Sequence, residues 1–387
     1  MAALPRNPFR PGRGVAPPVL AGRDEELALA ERRLGELAEG MSPAQDLLLY
    51  GPRGNGKTAL LGRIADRAQE LGMRAERLPV AELDSKMGLV RALQQRTAPA
   101  VRVTGVSVGT VGVSTEPPTP PAAADSLLPS WIHRDRAPLV VFLDEAHAIT
   151  PEAGRAFFDA VQTAKTDRLP FLLIAAGTPD TPRRIREMGT HNERAFEQIR
   201  IGRLERQATL AALVQPASGL GISMTAGAAE ALAEASQDYP YFIQLLGSAA
   251  WEAAGRAGAG RITGVAARAG TANAQPRIES FYGERYREAQ RRGVDVALVA
   301  LASRFVEHGA PLRDPELEPT LRVWAERDGF PEHWTRLREE LEDLGVIWET
   351  SPGQWEMGVP SFARHVIERT RDSGSDSAGK SSSERRS

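Results

Sequence analysis

Cysteine is absent from all 387 residues, which excludes disulfides, thiolate metal sites and a cysteine nucleophile. Lysine is nearly absent too: Lys57, Lys86, Lys165 and Lys380 are the four among 48 basic residues. Arginine supplies the rest in a chain rich in Ala, Gly and Pro, so the arginine excess reflects composition and is not read as nucleic-acid binding. Charge of one sign is lacking. The formal net charge is -2, which provides no global field toward nucleic acid or an anionic membrane. No apolar run approaches the length of a membrane-spanning helix, and the N-terminus lacks the apolar core of a signal peptide. The expected location is cytoplasmic, with no membrane partner. At 42% hydrophobic, the chain can bury one or two substantial cores and a small extra domain.

Against this background the octapeptide Gly51-Pro52-Arg53-Gly54-Asn55-Gly56-Lys57-Thr58 stands out, because it matches the phosphate-cradling pattern G-x-x-x-x-G-K-[ST]. Its glycines let the backbone turn sharply and present N–H groups to phosphate oxygens, at the N-terminus of a following helix. Lys57 places a point charge on the β- and γ-phosphates, and Thr58 offers a hydroxyl to Mg²⁺. The context agrees. Asp46 to Tyr50 reads as a buried strand entering the loop, and Leu60, Leu61, Ile64, Ala65, Ala68 and Leu71 give helical spacing up to Gly72.

Farther along, Arg74 to Val80 predicts a second strand and Ser85 to Gln95 a helix. Val101 to Val113 alternates around glycines and predicts a β-hairpin insertion at about 98–125, closed by a Pro- and Ala-rich loop over 116–126. Leu139–Leu143 and Phe171–Ala176 are continuous apolar runs of the kind found in central parallel strands. A helix from Pro151 to Lys165 separates them, and a fifth strand is expected near Gln198 to Ile201. The alternation predicts an α/β fold: a three-layer core with a parallel sheet. Residues 1–18 carry five prolines and read as an extended segment. The core spans 19–202, an Ala-rich helical domain 203–275, and a linker helix (about Ile278 to Arg292) with a final module 276–370. A Ser-rich tail over 371–387 is expected to be disordered.

Leu139-Val140-Val141-Phe142-Leu143-Asp144-Glu145 supplies what the Gly-rich loop lacks. A carboxylate at the end of an apolar strand is costly unless it serves a metal or a hydrogen-bond network, which makes Asp144 a candidate Mg²⁺ ligand beside Thr58. Glu145 is placed to act as general base on an attacking water. Mg²⁺-dependent ATP hydrolysis is the reaction these motifs point to, with ATP and Mg²⁺ as the cofactors.

With both motifs present, the chain resembles AAA+ P-loop ATPases of the origin-recognition and STAND-related type, over about residues 19 to 370. The resemblance implies a P-loop NTPase core, a helical lid and a C-terminal winged helix. In such ATPases a V/L-x-G-R-x-x-E segment packs around the adenine; Val19-Leu20-Ala21-Gly22-Arg23-Asp24-Glu25-Glu26 is similar, which assigns Val19, Gly22 and Arg23 to the nucleotide. Thr178 holds the position of the γ-phosphate sensor, where Asn is common, or caps the helix that starts near Asp180. Arg194, with Arg200 second, matches the arginine that acts across a subunit interface, which implies a homo-oligomer. Asp238-Tyr239-Pro240-Tyr241-Phe242-Ile243-Gln244-Leu245-Leu246-Gly247 resembles the lid motif G-x-P-Y-F-x-Q-x-L-G with Asp238 in place of Gly, and puts Pro240 and Tyr241 against base and ribose. No arginine holds the usual lid-sensor position, which implies a slow switch rather than a fast motor.

Asp144-Glu145-Ala146-His147 also spells a helicase signature. A helicase needs a second P-loop-like domain, and the chain after Ile201 is helical and too small to contain one. Val346–Glu349, the turn at 351–354 and Trp355–Met357 read as the wing of a winged helix, a module that often binds DNA. Its candidate recognition helix, Glu332 to Asp343, carries two arginines against five acids and would repel phosphates. Three functions follow: a switch that regulates or assembles a protein complex, a DNA-binding regulator of initiator or transposition type, and a nucleotide-binding module without significant turnover.

Overall fold

The structure, a computed structural model, describes residues 4–12, 14–97, 124–189, 192–258, 260–308, 311–327 and 333–371. The expected hairpin over Val101–Val113 and residues 372–387 lie outside them. Five strands, β1 (Asp46–Tyr50), β2 (Arg74–Arg77), β3 (Leu139–Leu143), β4 (Phe171–Gly177) and β5 (Phe196–Arg200), form a sheet in the order β2-β3-β4-β1-β5. Every neighbouring pair is parallel, with Tyr50 opposite Gly177 and Leu143 opposite Ala175.

Alternation within the central strands sends side chains to two separate cores. Leu47, Leu49, Val140, Phe142, Leu172 and Ile174 meet helices α1 (Asp24–Ala38) and α2 (Lys57–Glu70). Leu48, Val141, Leu143, Phe171 and Leu173 meet α3 (Lys86–Thr97), α4 (Ala124–His133), α5 (Pro151–Thr166) and α6 (Thr181–Met188). The three-layer α/β P-loop fold is thus realised. A short α7 (Asn192–Ala195) leads into β5.

At the strand N-termini, Asp46 is buried with Lys165. Asp46 Oδ1 receives Lys165 Nζ at 2.8 Å and the Leu173 amide at 2.8 Å, and Lys165 also donates to the carbonyls of Pro43 and Phe171. Burial raises the Asp46 pKa, and Lys165 pulls it back. Asp46→Ala leaves Lys165 without its anion and is expected to cost about 3–5 kcal/mol, read from chemical denaturation.

Beyond the sheet come α8 (Arg206–Ser218), a two-residue strand β6 (Ser223–Met224), α9 (Ala226–Ser236), α10 (Pro240–Arg256), its partner strand β7 (Arg261–Ile262) and α11 (Gly264–Arg291). The chain closes with α12 (Asp295–His308), β8 (Leu312–Arg313), α13 (Asp314–Arg327), α14 (Trp334–Asp343), β9 (Ile347–Ser351), β10 (Gln354–Met357) and a helix over 362–371. The last three strands make an antiparallel sheet, β8-β10-β9. Buried residues of both regions, from Leu213 and Phe242 to Leu298, Leu341 and Phe362, form one continuous core.

Several expected boundaries move. β2 stops at Arg77, and a 3-10 turn takes Val80–Leu83. β5 begins at Phe196, two residues before Gln198. The loop expected at 116–126, and with it the end of the 98–125 insertion, gives way at Ala124 to α4, whose Leu128, Trp131 and Ile132 are buried despite Pro129 in its interior. The helix expected from Ile278 is the second half of α11, which runs through Pro276 and so crosses the boundary drawn at 275. Arg371, expected to open the tail, ends the closing helix. Among the described residues no helix is long and apolar enough to cross a membrane.

Candidate nucleotide site

The carboxyl ends of β1 and β3 deliver the Gly-rich loop and the acidic pair to the same rim of the sheet, where ligands of open α/β sheets bind. They line a cleft of about 1130 Å³. Gly56, with φ 89°, is the N-cap of α2, a left-handed position that suits glycine. Lys57, the first helical residue, is 8% exposed. Its Nζ donates to the Gly51 carbonyl at 2.6 Å and the Pro52 carbonyl at 2.9 Å, so the ammonium is bonded to carbonyls rather than to a carboxylate. Burial pulls its pKa down to about 8, against the raising influence of Glu145 and Asp144.

Thr58 Oγ1 donates to Asp144 Oδ2 at 2.7 Å, which joins the loop to the end of β3. The other oxygen, Asp144 Oδ1, accepts the Glu145 amide at 2.9 Å. Glu145 has left-handed backbone (φ 56°) and a side chain 58% exposed to the cleft. His147 Nδ1 lies 3.4 Å from Glu145 Oε2, and its Nε2 lies 3.4 Å from Arg53 Nη2. Burial lowers the His147 pKa, with Glu145 and Asp180 opposing and Arg53 adding to it.

Arg23 is buried, with its guanidinium bonded to the carbonyls of Gly202 at 2.6 Å and Asn55 at 3.2 Å and to Glu26 at 3.2 Å. Asn55 Nδ2 donates to the Ile201 carbonyl at 3.1 Å. Together they tie the loop to the end of β5. Desolvation lowers the Arg23 pKa, and Glu26 opposes it. Val19 lines the cleft with Leu20 and Ala21, whereas Gly22 (φ 64°) packs on Ala208 of α8.

The opposite wall comes from α10 and α11. Pro240 and Tyr241 line it, with Tyr241 stacked on Phe281 at 5.1 Å and the Arg285 guanidinium 3.8 Å above the Phe281 ring. The N-terminal segment also reaches the cleft. Phe9 is buried against Trp251, the Asn7 side chain donates to Ser248 Oγ at 2.9 Å, and Gly14 approaches the Thr58 methyl. Arg10, Arg277, Phe281, Arg285 and His147 were not picked out by sequence reasoning. His147 was legible two residues after Glu145; the others arrive through packing that no local spacing reports.

Gly22, Gly51 and Pro52 stand behind the cleft lining, and two of the three expected catalytic residues lie elsewhere. Thr178 is buried at the end of β4, outside the cleft lining, and its hydroxyl donates to Asp180, the N-cap of α6. Arg194 is exposed on α7, away from the cleft, with its carbonyl taking Gln45 Nε2 at 3.1 Å.

The C-terminal module reaches the same rim through Asp343, the last residue of α14, and Leu344, which follows it. Asp343 accepts Arg183 at 2.7 Å and Arg184 at 3.0 Å, and Arg184 also pairs with Asp180. Beside them, burial raises Glu342 to about 7, with Asp180 and Glu349 adding to the shift and Arg338 and Arg183 opposing it. The folded protein therefore holds this proton below about pH 7, where the unfolded chain has released it down to its ordinary carboxylate range. Stability from this group is present at low pH and is lost as pH rises through 7. Glu342→Gln is expected to flatten the wild-type gain between pH 8 and pH 5.5 by about 2 kcal/mol, measured by denaturation at the two pH values.

The donor set fits a Mg–nucleoside triphosphate: a Gly-rich turn, a buried ammonium bonded to carbonyls, and a hydroxyl–carboxylate pair. Among the described residues no group of three or more His, Asp or Glu forms a metal cage, so Thr58 and Asp144 could hold Mg²⁺ only together with phosphate oxygens and water.

Residues 19–174 match the family model of an AAA ATPase domain. The chain is similar in fold to the ORC2 protein of Aeropyrum pernix in its ADPNP-ADP complexes, with a TM-score of 0.58 and 14% identity over 92% of this chain and 95% of that one. The ADP form of that protein gives a TM-score of 0.55 at 14% identity, over 93% and 97%. A Walker-type ATPase of Pyrococcus abyssi gives 0.56 at 16% identity, over 89% and 95%. Comparison with curated protein sequences gives no match.

Proposed function

We propose that this chain, with its AAA ATPase domain match, is a Mg²⁺-dependent ATP-binding and ATP-hydrolysing switch that regulates or assembles a protein complex. The observation that carries the reading is the 2.7 Å bond from Thr58 to Asp144, which brings a hydroxyl and a carboxylate together at the mouth of the Gly-rich loop. Loop amides from Gly54 to Lys57 and the Lys57 ammonium bind the phosphates. Thr58 and Asp144 hold Mg²⁺, which when bound neutralises charge on the phosphate oxygens. Glu145, exposed and adjacent, takes a proton from the attacking water onto its carboxylate. Val19, Arg23, Pro240 and Tyr241 line the base and ribose end, Arg23 by bracing the loop against β5.

In this reading residues 1–18 are an arm, 19–202 the ATPase core, 203–275 the lid and 276–370 a linker and winged helix. Arg194, exposed on α7, serves a neighbouring copy's nucleotide, and Thr178 acts through Asp180 rather than at the phosphate. The protein-directed switch is favoured over the DNA-binding alternative because α14 is turned toward the core, with Asp343 bonded to Arg183 and Arg184. Phosphate release from ATP with and without Mg²⁺, alongside direct nucleotide binding, tests the proposal. Binding without Mg²⁺-dependent release would leave a nucleotide-binding module; no binding would end the reading.

A further inference from the structure

Gln237 (φ 50°) and Asp238 (φ 61°) have consecutive left-handed backbones, and Ser361 (φ 59°) in the C-terminal module has a third. For an L-residue this conformation brings Cβ against the next carbonyl oxygen, so it persists only where other contacts impose it. Some of them are local, the Gln237 amide closing α9 on the Glu234 carbonyl at 3.1 Å and the Tyr239 amide donating to the Ser236 carbonyl at 3.1 Å, and others are distant in sequence. Gln237 Nε2 donates to Ser361 Oγ. Asp238 is held at both ends, its carbonyl taking the Leu204 amide at 2.9 Å and its carboxylate pairing with Arg206 at 3.1 Å. The next residue, Tyr239, is wholly buried, edge-on to Phe242 at 4.9 Å, and its hydroxyl donates to the Arg53 carbonyl of the Gly-rich loop. Two residues on, the Tyr241 amide donates to the Gly54 carbonyl at 3.1 Å. Gly54 (φ 91°) has no room for a Cβ, which would collide with the Tyr239 hydroxyl.

We propose that Tyr239 is a positioning residue for the Gly-rich loop, and that the strained turn Gln237–Asp238 relays the state of the loop to the C-terminal module through Ser361. The proposal rests on the nucleotide-binding reading of that loop. In a planar trans peptide the C=O and the following N–H point in opposite directions. Tyr239, gripping the Arg53 carbonyl, therefore aims the Gly54 N–H; the Tyr241 amide, gripping the Gly54 carbonyl, aims the Asn55 N–H. An anion accepting from those N–H groups polarises the same peptides and strengthens the two bonds behind them. The coupling is reciprocal: whatever tightens the Tyr239 contact tightens the hold on the anion. Because Gln237 and Asp238 adjoin Tyr239 and Gln237 is held from the other side by Ser361, a shift of Tyr239 relaxes or restores their strained backbone and is felt at 354–366.

The test uses the full chain with Mg²⁺ and N-methylanthraniloyl-ADP. Its release rate is measured by stopped flow, and backbone hydrogen exchange over residues 354–366 is followed with and without ADP. Tyr239→Phe, which deletes one oxygen, is expected to release nucleotide on the order of fivefold faster, the effect of one net hydrogen bond. It is also expected to lose the ADP-dependent protection of 354–366. Ser361→Gly accepts the positive φ, removes the hydroxyl far from the loop, and is expected to lose that protection while speeding release less than Tyr239→Phe does. Wild-type release from Tyr239→Phe, or ADP-dependent protection surviving in Ser361→Gly, would overturn the relay while wild-type binding kept the function intact. A wild type that fails to bind the probe overturns the functional reading and the relay with it.

Discussion

Replacing Glu145 by Gln is expected to cut Mg²⁺-dependent phosphate release by about 10²–10⁴-fold, the usual contribution of a positioned general base, with nucleotide affinity close to wild type. The substitution changes almost nothing but charge. The Glu145 side chain is exposed in the cleft, and the Thr58–Asp144 bond and the Lys57 contacts do not involve it. His147 sharpens the expectation. Its imidazole lies between Glu145 and Arg53, so a loop displaced by ligand is expected also to shift the proposed general base. Single-turnover hydrolysis measured beside equilibrium binding separates the two steps. Equal turnover by Glu145→Gln and wild type, above background, would remove Glu145 from the mechanism.

The second large effect is at Lys57, where binding and stability should move in opposite directions. Lys57→Met is expected to weaken ATP binding on the order of a hundredfold, as a buried charge-assisted contact to phosphate is lost. Without nucleotide the same variant should be at least as stable as wild type. The lowered pKa means that the folded protein at pH 7 carries an ammonium it would rather not bury, and each unit of that shift is worth about 1.4 kcal/mol. Thermal unfolding with and without Mg-ATP reads both: wild type gains a large ligand-induced shift, whereas the variant begins as high or higher and gains little. A variant that both binds weakly and unfolds early would show Lys57 to be structural instead.

Legibility in the sequence followed the range of the forces involved. The Gly-rich loop, Asp144 and Glu145 are contiguous strings whose chemistry is local, and β1, β3 and β4 are apolar because both of their faces are covered. The edge strands were harder to bound. Arg74–Arg77 and Phe196–Arg200 have polar residues facing solvent, and that weakens the periodic signal. Two helices crossed the expected boundaries: α4 begins inside the loop expected at 116–126 and contains Pro129, and α11 runs through Pro276 past the boundary drawn at 275. In both, burial of neighbouring residues outweighs one lost backbone hydrogen bond. The far wall of the cleft, with Phe281 and Arg285, belongs to tertiary packing and left no trace in spacing.

Continuity of α11 has a mechanical consequence. A helix of 28 residues is roughly 42 Å long, and tilting it by about 10° about one end carries the other by roughly 7 Å. Its middle borders the cleft through Phe281 and Arg285, and Tyr282 binds the Pro360 carbonyl at 2.7 Å. A tilt of about 10° about the start of α11 would carry Phe281 by roughly 4 Å and the far end by roughly 7 Å, so a shift at the cleft wall would be enlarged a little under twofold at the far end. The gearing needs no hinge within the helix, only a pivot where α10 packs against it.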